Sequence, residues 1–245
     1  MGYYSYQNGL IFRHLNQSGG WASHLEHCRN FILRAIDFHK PEKITVLGSG
    51  WLLELPLAEM SEKVNLICLE DIVHPPEVIE QVKDLKYVKL DETDISGGLI
   101  NEVWQKTRNH NFFNKLKSLN EIIIPEYEPG SDPGMVISLN ILTQLESLLI
   151  EHLKKKSAVS EEEYTKFRTE IQKRHIDFLK KHRSVLISDY SEVTTKNNGA
   201  FSIVPTLMTE LPSPCFKEEW TWDFDQAGSD FFNSTSLMKV VALTF

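Results

Sequence analysis

The chain has 245 residues, of which 41% are hydrophobic and 24% charged, with a formal net charge of −8. This length suits one large α/β domain, and this composition excludes a disordered chain. A negative surface repels a phosphate backbone unless the basic residues cluster. The densest basic stretches, 154–156 and 173–183, lie among glutamates and are interpreted as solvated helix faces. Nucleic acid is therefore not expected as a partner.

The three cysteines, Cys28, Cys68 and Cys215, are far apart in the chain. They form no CxxC pair, which argues against a disulfide framework or a zinc knuckle, so no metal is expected. The first ten residues are rich in tyrosine and lack the basic start and apolar stretch of a signal peptide. No segment approaches the about 18 apolar residues of a membrane span. We therefore expect a cytoplasmic protein without a membrane partner; its oligomeric state is left open.

The first half of the chain alternates helical patterns with short apolar strands. A helix is predicted over 21–38, where apolar residues recur at helical spacing until Pro41 ends the pattern. Beyond it, the sequence predicts strands at 44–47, 64–69 and 87–90, separated by helices at 51–60 and 77–85. Strands separated by helices of about ten residues are typical of βαβ crossovers, so we expect a parallel sheet.

The second half continues this pattern and then changes character. Ser160 and Glu163 form a capping box that begins a long helix reaching residue 182. The other predicted elements are helices at 99–108 and 141–156, an edge segment at 121–124, and strands at 134–139 and 184–188. The stretch 194–214 is turn-rich, whereas 220–222 and 239–245 alternate as strands. We expect these last two segments to form a hairpin antiparallel to the rest of the sheet.

The first predicted strand ends at Gly48-Ser49-Gly50. In an open parallel sheet the ligand lies beyond the carboxyl ends of the strands. Glycine lets the backbone turn sharply there and lets a ligand approach the main chain. A βα turn also needs glycine for structural reasons, so this loop alone does not establish a cofactor site.

Acidic residues follow the second and third strands. Asp71 follows Gly48 at about the 20-residue spacing of nucleoside-binding folds, and a carboxylate there can accept both ribose hydroxyl hydrogens. Its alternative role is a helix N-cap. Asp94 with Ile95 suits an adenine, because the carboxylate accepts from the exocyclic amine while the apolar side chain packs on the ring. A solvated turn is the alternative for Asp94.

Polar and aromatic side chains supply further candidates. Asn140 follows the fourth strand, where an uncharged amide would face the reaction centre, although it could instead cap the next helix. His74, just beyond Asp71, is a candidate catalytic group or a cap for the helix after Pro75.

His24 and His27 lie three apart on one helix face, as a structural pair or as a base and substrate contact, without a third ligand for a metal. Tyr3, Tyr4 and Tyr6 could close over a substrate or form a poorly ordered end, and Trp220 and Trp222 are interpreted as core residues.

This order of strand ends resembles the class I S-adenosylmethionine-dependent methyltransferases. More narrowly, an uncharacterised bacterial branch of that superfamily is similar over about residues 40–245, most distinctively in the segments 47–50, 54–58, 71–74 and 138–145. The resemblance implies a Rossmann-like α/β fold: a seven-stranded, mostly parallel sheet with helices on both faces and an antiparallel C-terminal hairpin strand. It also implies a helical cap over residues 1–40 and a cofactor-binding domain over 41–245.

The resemblance also implies roles for the strand-end residues. The methionine part of the cofactor would lie over Gly48, Ser49 and Gly50. The ribose would bind Asp71, or Glu70 if the strand shifts by one residue. The adenine would bind Asp94 and Ile95, and the methyl group would lie beside Asn140. Two departures concern the methionine end. The family pattern has an acid where this chain has Val46, and often a third glycine where it has Leu52.

The predicted function is S-adenosylmethionine-dependent methyl transfer to an unidentified small-molecule acceptor, with Asn140 and His74 as catalytic candidates. The alternative is a catalytically inactive methyltransferase fold that binds or senses a ligand, which Val46, Leu52 and the lack of an evident base favour. A nicotinamide-dependent oxidoreductase is disfavoured, because GxGxxG would need glycine where the chain has Leu53.

Overall fold

Helices and strands alternate along the chain in the computed structural model, which describes residues 2–17, 19–228 and 234–245. The helices α1–α7 span Tyr3–Asn16, Ala22–His39, Leu57–Ser61, Pro76–Val82, Leu99–Thr107, Ser147–Lys156 and Glu161–Leu179. The strands β1–β8 span Lys43–Leu47, Leu66–Asp71, Val88–Glu92, Met135–Leu139, Ser184–Lys196, Phe201–Pro205, Phe216–Asp225 and Ser234–Thr244.

All these strands belong to one sheet, in the order β3-β2-β1-β4-β5-β8-β7, with β6 paired to β5. Strands β1 to β5 pair in parallel, whereas β8 is antiparallel to both β5 and β7. The order of the first five is that of doubly wound nucleotide-binding sheets. The predicted Rossmann-like fold and its antiparallel C-terminal strand are confirmed, with β6 as an additional eighth strand.

Two hydrophobic cores lie on the two faces of this sheet because successive side chains of a strand point in opposite directions. In β4, Ile137 belongs to the core beneath α2, α3 and α4, while Val136 belongs to the core beneath α5, α6 and α7. Both side chains are fully buried, which explains why β4 reads as a continuous apolar run. Helices therefore cover both faces, as predicted. Helix α2 shares the first of these cores with β1. The predicted division of the chain into a cap and a cofactor-binding domain at residue 40 stays a prediction.

Several elements differ from the sequence prediction in their extent. Helix α3 begins only at Leu57, and α6 only at Ser147, because turns occupy the stretches after β1 and β4. The segment at 121–124 is not a strand; a short 3₁₀ turn, Leu119–Glu121, ends at its first residue. Strand β5 runs on to Lys196, and β6 lies inside the stretch expected to be turns. All five residues of β6 are exposed, so no alternation of burial marks that strand in the sequence.

Three general properties concern the described part of the chain. None of its helices is both long enough and apolar enough to cross a membrane. It brings together no group of three His, Cys, Asp or Glu side chains suited to a metal ion. Its three cysteines are unpaired, with Cys28 and Cys68 buried and Cys215 exposed.

Candidate functional site

The glycine loop after β1 connects the first two strands. Gly48 has φ 78°, and a Cβ there would lie 2.7 Å from Cβ of Ile141, so no larger residue fits. Its N–H donates to the carbonyl oxygen of Glu70 over 2.9 Å. The N–H of Gly50 donates to Oδ2 of Asp71 over 2.9 Å. The loop is therefore hydrogen-bonded to the end of β2, and its second glycine contacts Asp71, the residue predicted to bind the ribose.

Asp71 is the last residue of β2 and is only 4% exposed. Besides Gly50, its carboxylate accepts from the N–H of Ile72 over 2.8 Å and, more loosely, from Nε2 of Gln7 at 3.4 and 3.5 Å. Burial raises the pKa of Asp71, against the opposing effect of the bonded N–H groups and of His74. Helix α4 begins at Pro76 with Pro75 as its N-cap, so the alternative of Asp71 as a helix cap is wrong.

The neighbouring acid, Glu70, lies on the other side of the sheet. Its carboxylate accepts a hydrogen bond from the hydroxyl of Tyr127 and lines a separate cavity with Cys68. The alternation of side chains along β2 requires this separation. The geometry thus brings the carboxylate of Asp71, and not that of Glu70, to the glycine loop, while the ribose role of Asp71 stays a prediction.

Two adjoining cavities lie at the carboxyl edge of the sheet, beneath helix α1, and both are lined by Gln7 and Asp71. The first, of about 60 Å³, also contains the glycine loop and Asn140. The second measures about 50 Å³. Ligand pockets typically measure about 300–1,000 Å³, so α1 covers the cleft closely. We call the two together the α1 cleft.

The second cavity contains the predicted adenine residues. Asp94 and Ile95 line it together with Tyr3 and Ile72. Ile95 is 6% exposed and extends into the sheet core, while the carboxylate of Asp94 accepts from the N–H of Ser96 over 3.0 Å within a turn. Burial, followed by the charge of Asp94, raises the pKa of Tyr3. Asp94 thus stabilises a turn and lines the cleft, while its role toward adenine stays a prediction.

Asn140 directly follows β4 in a left-handed conformation with φ 50°, which asparagine tolerates better than most residues. Its Nδ2 lies 3.3 Å from Nε2 of His24 and 3.4 Å from Oε1 of Glu54. Helix α6 begins at Ser147, well beyond Asn140, so the alternative of a helix cap is wrong. The amide instead forms part of the wall of the first cavity.

His24 lies behind that wall and is 1% exposed. Its ring stacks on Trp222 at 3.8 Å, and Nδ1 accepts from Nε1 of Trp220 over 3.0 Å. Burial lowers the pKa of His24, although Glu54 opposes this shift. The neutral ring therefore carries its proton on Nε2, which faces Asn140 and Glu54. His27 is exposed and stacks on Trp220, so the pair has one structural and one surface member.

His74 is 5% exposed, and its Nε2 donates to the carbonyl oxygen of Asp91 over 3.2 Å. It is not among the described residues that line the α1 cleft. It does not cap the following helix either, whose N-cap is Pro75. The structure therefore holds His74 beside Asp71 but outside the cleft, and its catalytic role stays a prediction.

Glu54 is the residue of this site that sequence reasoning missed. It was predicted to lie in a helix over 51–60, where an acid needs no special role. The turn formed by 51–54 instead directs it into the first cavity, with its side chain 14% exposed. An isolated acid between Leu53 and Leu55, four residues after Gly50, is the one sequence signal that could have identified it.

These features define a Rossmann-like α/β protein with a covered cleft at the switch point of a doubly wound sheet. Neither protein-family models nor curated protein sequences match the chain. Among solved structures it is similar to the N-methyltransferase NodS from Bradyrhizobium japonicum WM9 in complex with S-adenosyl-L-homocysteine. That similarity has 10% identity and a TM-score of 0.39, over 89% of this chain and 86% of that one.

Two further solved structures show weaker similarity. The methyltransferase domain of bacterial CtHen1-CN has 10% identity and a TM-score of 0.31, over 86% of this chain and 95% of that one. The DhpI–SAH complex has 10% identity and a TM-score of 0.25, over 82% of this chain and 76% of that one. The fold of this chain is defined by its own strand order, and none of these similarities carries an inference about its chemistry.

Proposed function

We propose that this protein binds S-adenosylmethionine in the α1 cleft and transfers its methyl group to a small-molecule acceptor. The observation that carries this proposal is the position of Asp71, a buried strand-end carboxylate where the two cavities meet. A ribose held there would direct its base toward Asp94 and Ile95. Its 5′ substituent would extend over the glycine loop toward Asn140.

The charge of the cleft supports a cationic ligand. The acids Glu54, Asp71 and Asp94 line it, and no Lys, Arg or His is among its described lining residues. S-adenosylmethionine carries a net positive charge, whereas a nicotinamide dinucleotide brings an anionic pyrophosphate. Because like charges repel strongly in a partly buried site, the acids favour the sulfonium cofactor over the dinucleotide.

The residues around the first cavity are suited to methyl transfer. When bound, the cofactor supplies an activated methyl group on a sulfonium. The reaction removes that positive charge, so alignment and exclusion of water matter more than strong acid chemistry. The apolar side chains of Leu10, Ile11 and Trp222 line this cavity and would exclude water. Asn140, in the wall of this cavity, would position the acceptor beside the methyl group.

A second candidate function is ligand binding without turnover. Val46, at the position of the family acid, is fully buried in the core beneath α2 to α4, so it offers nothing to a methionine moiety. A screen of metabolite pools for release of S-adenosylhomocysteine separates the two functions. Release from any pool supports the enzyme, and binding without release from broad pools supports the sensor.

The binding proposal is tested by calorimetry with Asp71→Asn. We expect S-adenosylhomocysteine to bind the native protein and NAD⁺ not to bind. Loss of the charged acceptor should lower the affinity for S-adenosylhomocysteine by about 10- to 100-fold, the range expected for a hydrogen bond to a charged group. Glu70→Gln is the matched control, because Glu70 lies on the opposite face of the sheet and should leave affinity unchanged. Equal affinity of both variants and the native protein would contradict the ribose assignment.

A further inference from the structure

The carboxylate of Glu54 has no cationic partner within the described part of the protein. Its side chain is 14% exposed, and the nearest ionisable partner is Nε2 of His24 at 3.9 Å. Burial lowers the pKa of His24, so that ring is neutral near pH 7. The amide of Asn140, at 3.4 Å, offers only a long hydrogen bond. A carboxylate in such a partly buried wall is stabilised most by a cation delivered with the ligand.

A second observation points to the same kind of ligand. The hydroxyl of Ser49 is buried, with the residue 1% exposed, and has no hydrogen-bond partner in the structure. Ser49 lines the same cavity as Glu54. A buried polar atom without a partner costs about 1–3 kcal/mol. A ligand group that donates several hydrogen bonds would satisfy both side chains at once.

We infer that Glu54, with Ser49, binds a primary ammonium group of the ligand. This rests on the proposed function and deepens it, because it names the group recognised at the Asn140 end of the α1 cleft. An ammonium has three donors and one positive charge, which match a carboxylate and a hydroxyl acceptor. Its alkyl carbons would pack against the neighbouring apolar lining residues, Leu53 and Trp222.

Two sources could supply the ammonium group: the amino-acid end of the cofactor, or an amine that accepts the methyl group. In the second case the ammonium first gives one proton to the Glu54 carboxylate. Its nitrogen lone pair then forms the bond to the methyl carbon. The sulfur–carbon bond breaks with its electron pair left on sulfur, which becomes a neutral thioether.

The first arm of the test uses calorimetry with S-adenosylhomocysteine and its desamino analogue, which lacks only the amino group. If the ammonium belongs to the cofactor, the native protein should bind S-adenosylhomocysteine at least tenfold more tightly than the analogue. Glu54→Gln should remove most of that difference, and Glu59→Gln should preserve it, because Glu59 is exposed on α3 outside the cleft. The comparison of the two ligands on the native protein needs no variant to fold.

The second arm uses metabolite pools separated by cation exchange. If the ammonium belongs to the acceptor, the native protein should bind both nucleosides equally and release S-adenosylhomocysteine only with the retained, cationic fraction. Glu54→Gln should lose that release while its unfolding temperature and nucleoside affinity stay native. The inference is overturned if the native protein binds both nucleosides equally and no release depends on the cationic fraction. Binding of neither nucleoside would instead refute the proposed function.

Discussion

Leu52 adopts a conformation that belongs to glycine. It stands where the methyltransferase pattern often has a third glycine, and its φ of 62° is left-handed. This conformation costs a residue with a Cβ about 1–2 kcal/mol. The side chain is 3% exposed and packs in the core beneath α2 to α4, which offsets that cost. The departure at Leu52 therefore changes the side chain but keeps the backbone turn of the glycine loop.

Truncation of Leu52 tests this backbone strain. Leu52→Ala should destabilise the protein by about 2–4 kcal/mol through lost packing. Leu52→Gly should then be about 1 kcal/mol more stable than Leu52→Ala, because glycine adopts positive φ freely. Urea unfolding measures both. Ala35→Gly, in the buried face of helix α2, is the control and should follow the ordinary order by losing about 1 kcal/mol. A Leu52→Gly variant less stable than Leu52→Ala would contradict the strain.

The strand-end residues show what the sequence could and could not predict at the site. Asp71 and Asp94 follow recognisable strands, and parallel strands bring their carboxyl ends to one edge, so their position in one cleft was predictable. The side chains that surround Asn140 could not be predicted from the sequence. Glu54 reaches it through an irregular turn, and His24 through the packing of α2, and neither relation leaves a spacing in the sequence.

At the scale of elements, helix α1 buries little of its surface against the cleft. Only Gln7 of its 14 residues is buried. The main-chain carbonyl of Gln7 accepts from Nε1 of Trp51 over 2.8 Å, and its side chain donates weakly to Asp71. At the far end Nε2 of Gln17 donates to the carbonyl of Phe224 over 2.7 Å. Elements with so little buried surface open at low free-energy cost.

Opening of α1 gives a prediction about Gln7. The cleft is too small for a nucleoside while α1 is closed, and Gln7 occupies the carboxylate that we assign to the ribose. Gln7→Ala should therefore raise the affinity for S-adenosylhomocysteine by about two- to tenfold, because a long hydrogen bond is no longer broken on binding. Calorimetry measures the change. In hydrogen exchange, the amides of 3–16 should be protected less in this variant than in the native protein. Weaker binding would show that Gln7 contacts the ligand instead.

The elements themselves were predictable where burial imposes a period. Strands β1, β2, β4 and the start of β5 are apolar runs between turn residues, and all were found near their predicted positions. Helix α1 shows no helical period in the sequence, because only Gln7 of it is buried; the helical cap over 1–40 was expected from the family resemblance alone. Strand β6 was missed because it is exposed on both faces and exists through its pairing with β5.

At the scale of the whole molecule, a buried acid makes stability depend on pH. Glu146 is 1% exposed between α6 and α7, where Arg168 and Gln172 donate to Oε1 over 3.2 and 3.1 Å. Burial raises its pKa to about 7, against the opposing charge of Arg168. The folded protein thus keeps a proton that the unfolded chain releases from its ordinary pKa of 4.5 upward. The stability from this group is complete below that value and is lost as pH rises through 7.

Glu146→Gln should remove this dependence, because the amide keeps the shape of the protonated acid. The free energy of unfolding of the variant should equal that of the native protein near pH 4.5. At pH 8 it should be larger by about 2–3 kcal/mol, which is somewhat less than the full pKa shift allows. Urea unfolding at the two pH values measures the difference. Glu151→Gln, on the exposed face of α6, is the control and should show no such gain at pH 8. A gain for Glu146→Gln that is constant with pH would contradict the raised pKa.

The sharing of one carboxylate has a thermodynamic consequence. If Gln7 and a ligand hydroxyl compete for Asp71, closure of helix α1 and occupancy of the cleft are linked equilibria. The outer face of the closed helix exposes Tyr4, Phe12 and Leu15. A molecule that binds this face must then lower the affinity of the cleft for its ligand. The ligand must lower the affinity of the outer face for that molecule by the same factor. The chain would thus report occupancy of its cleft on its surface without any change in the sheet.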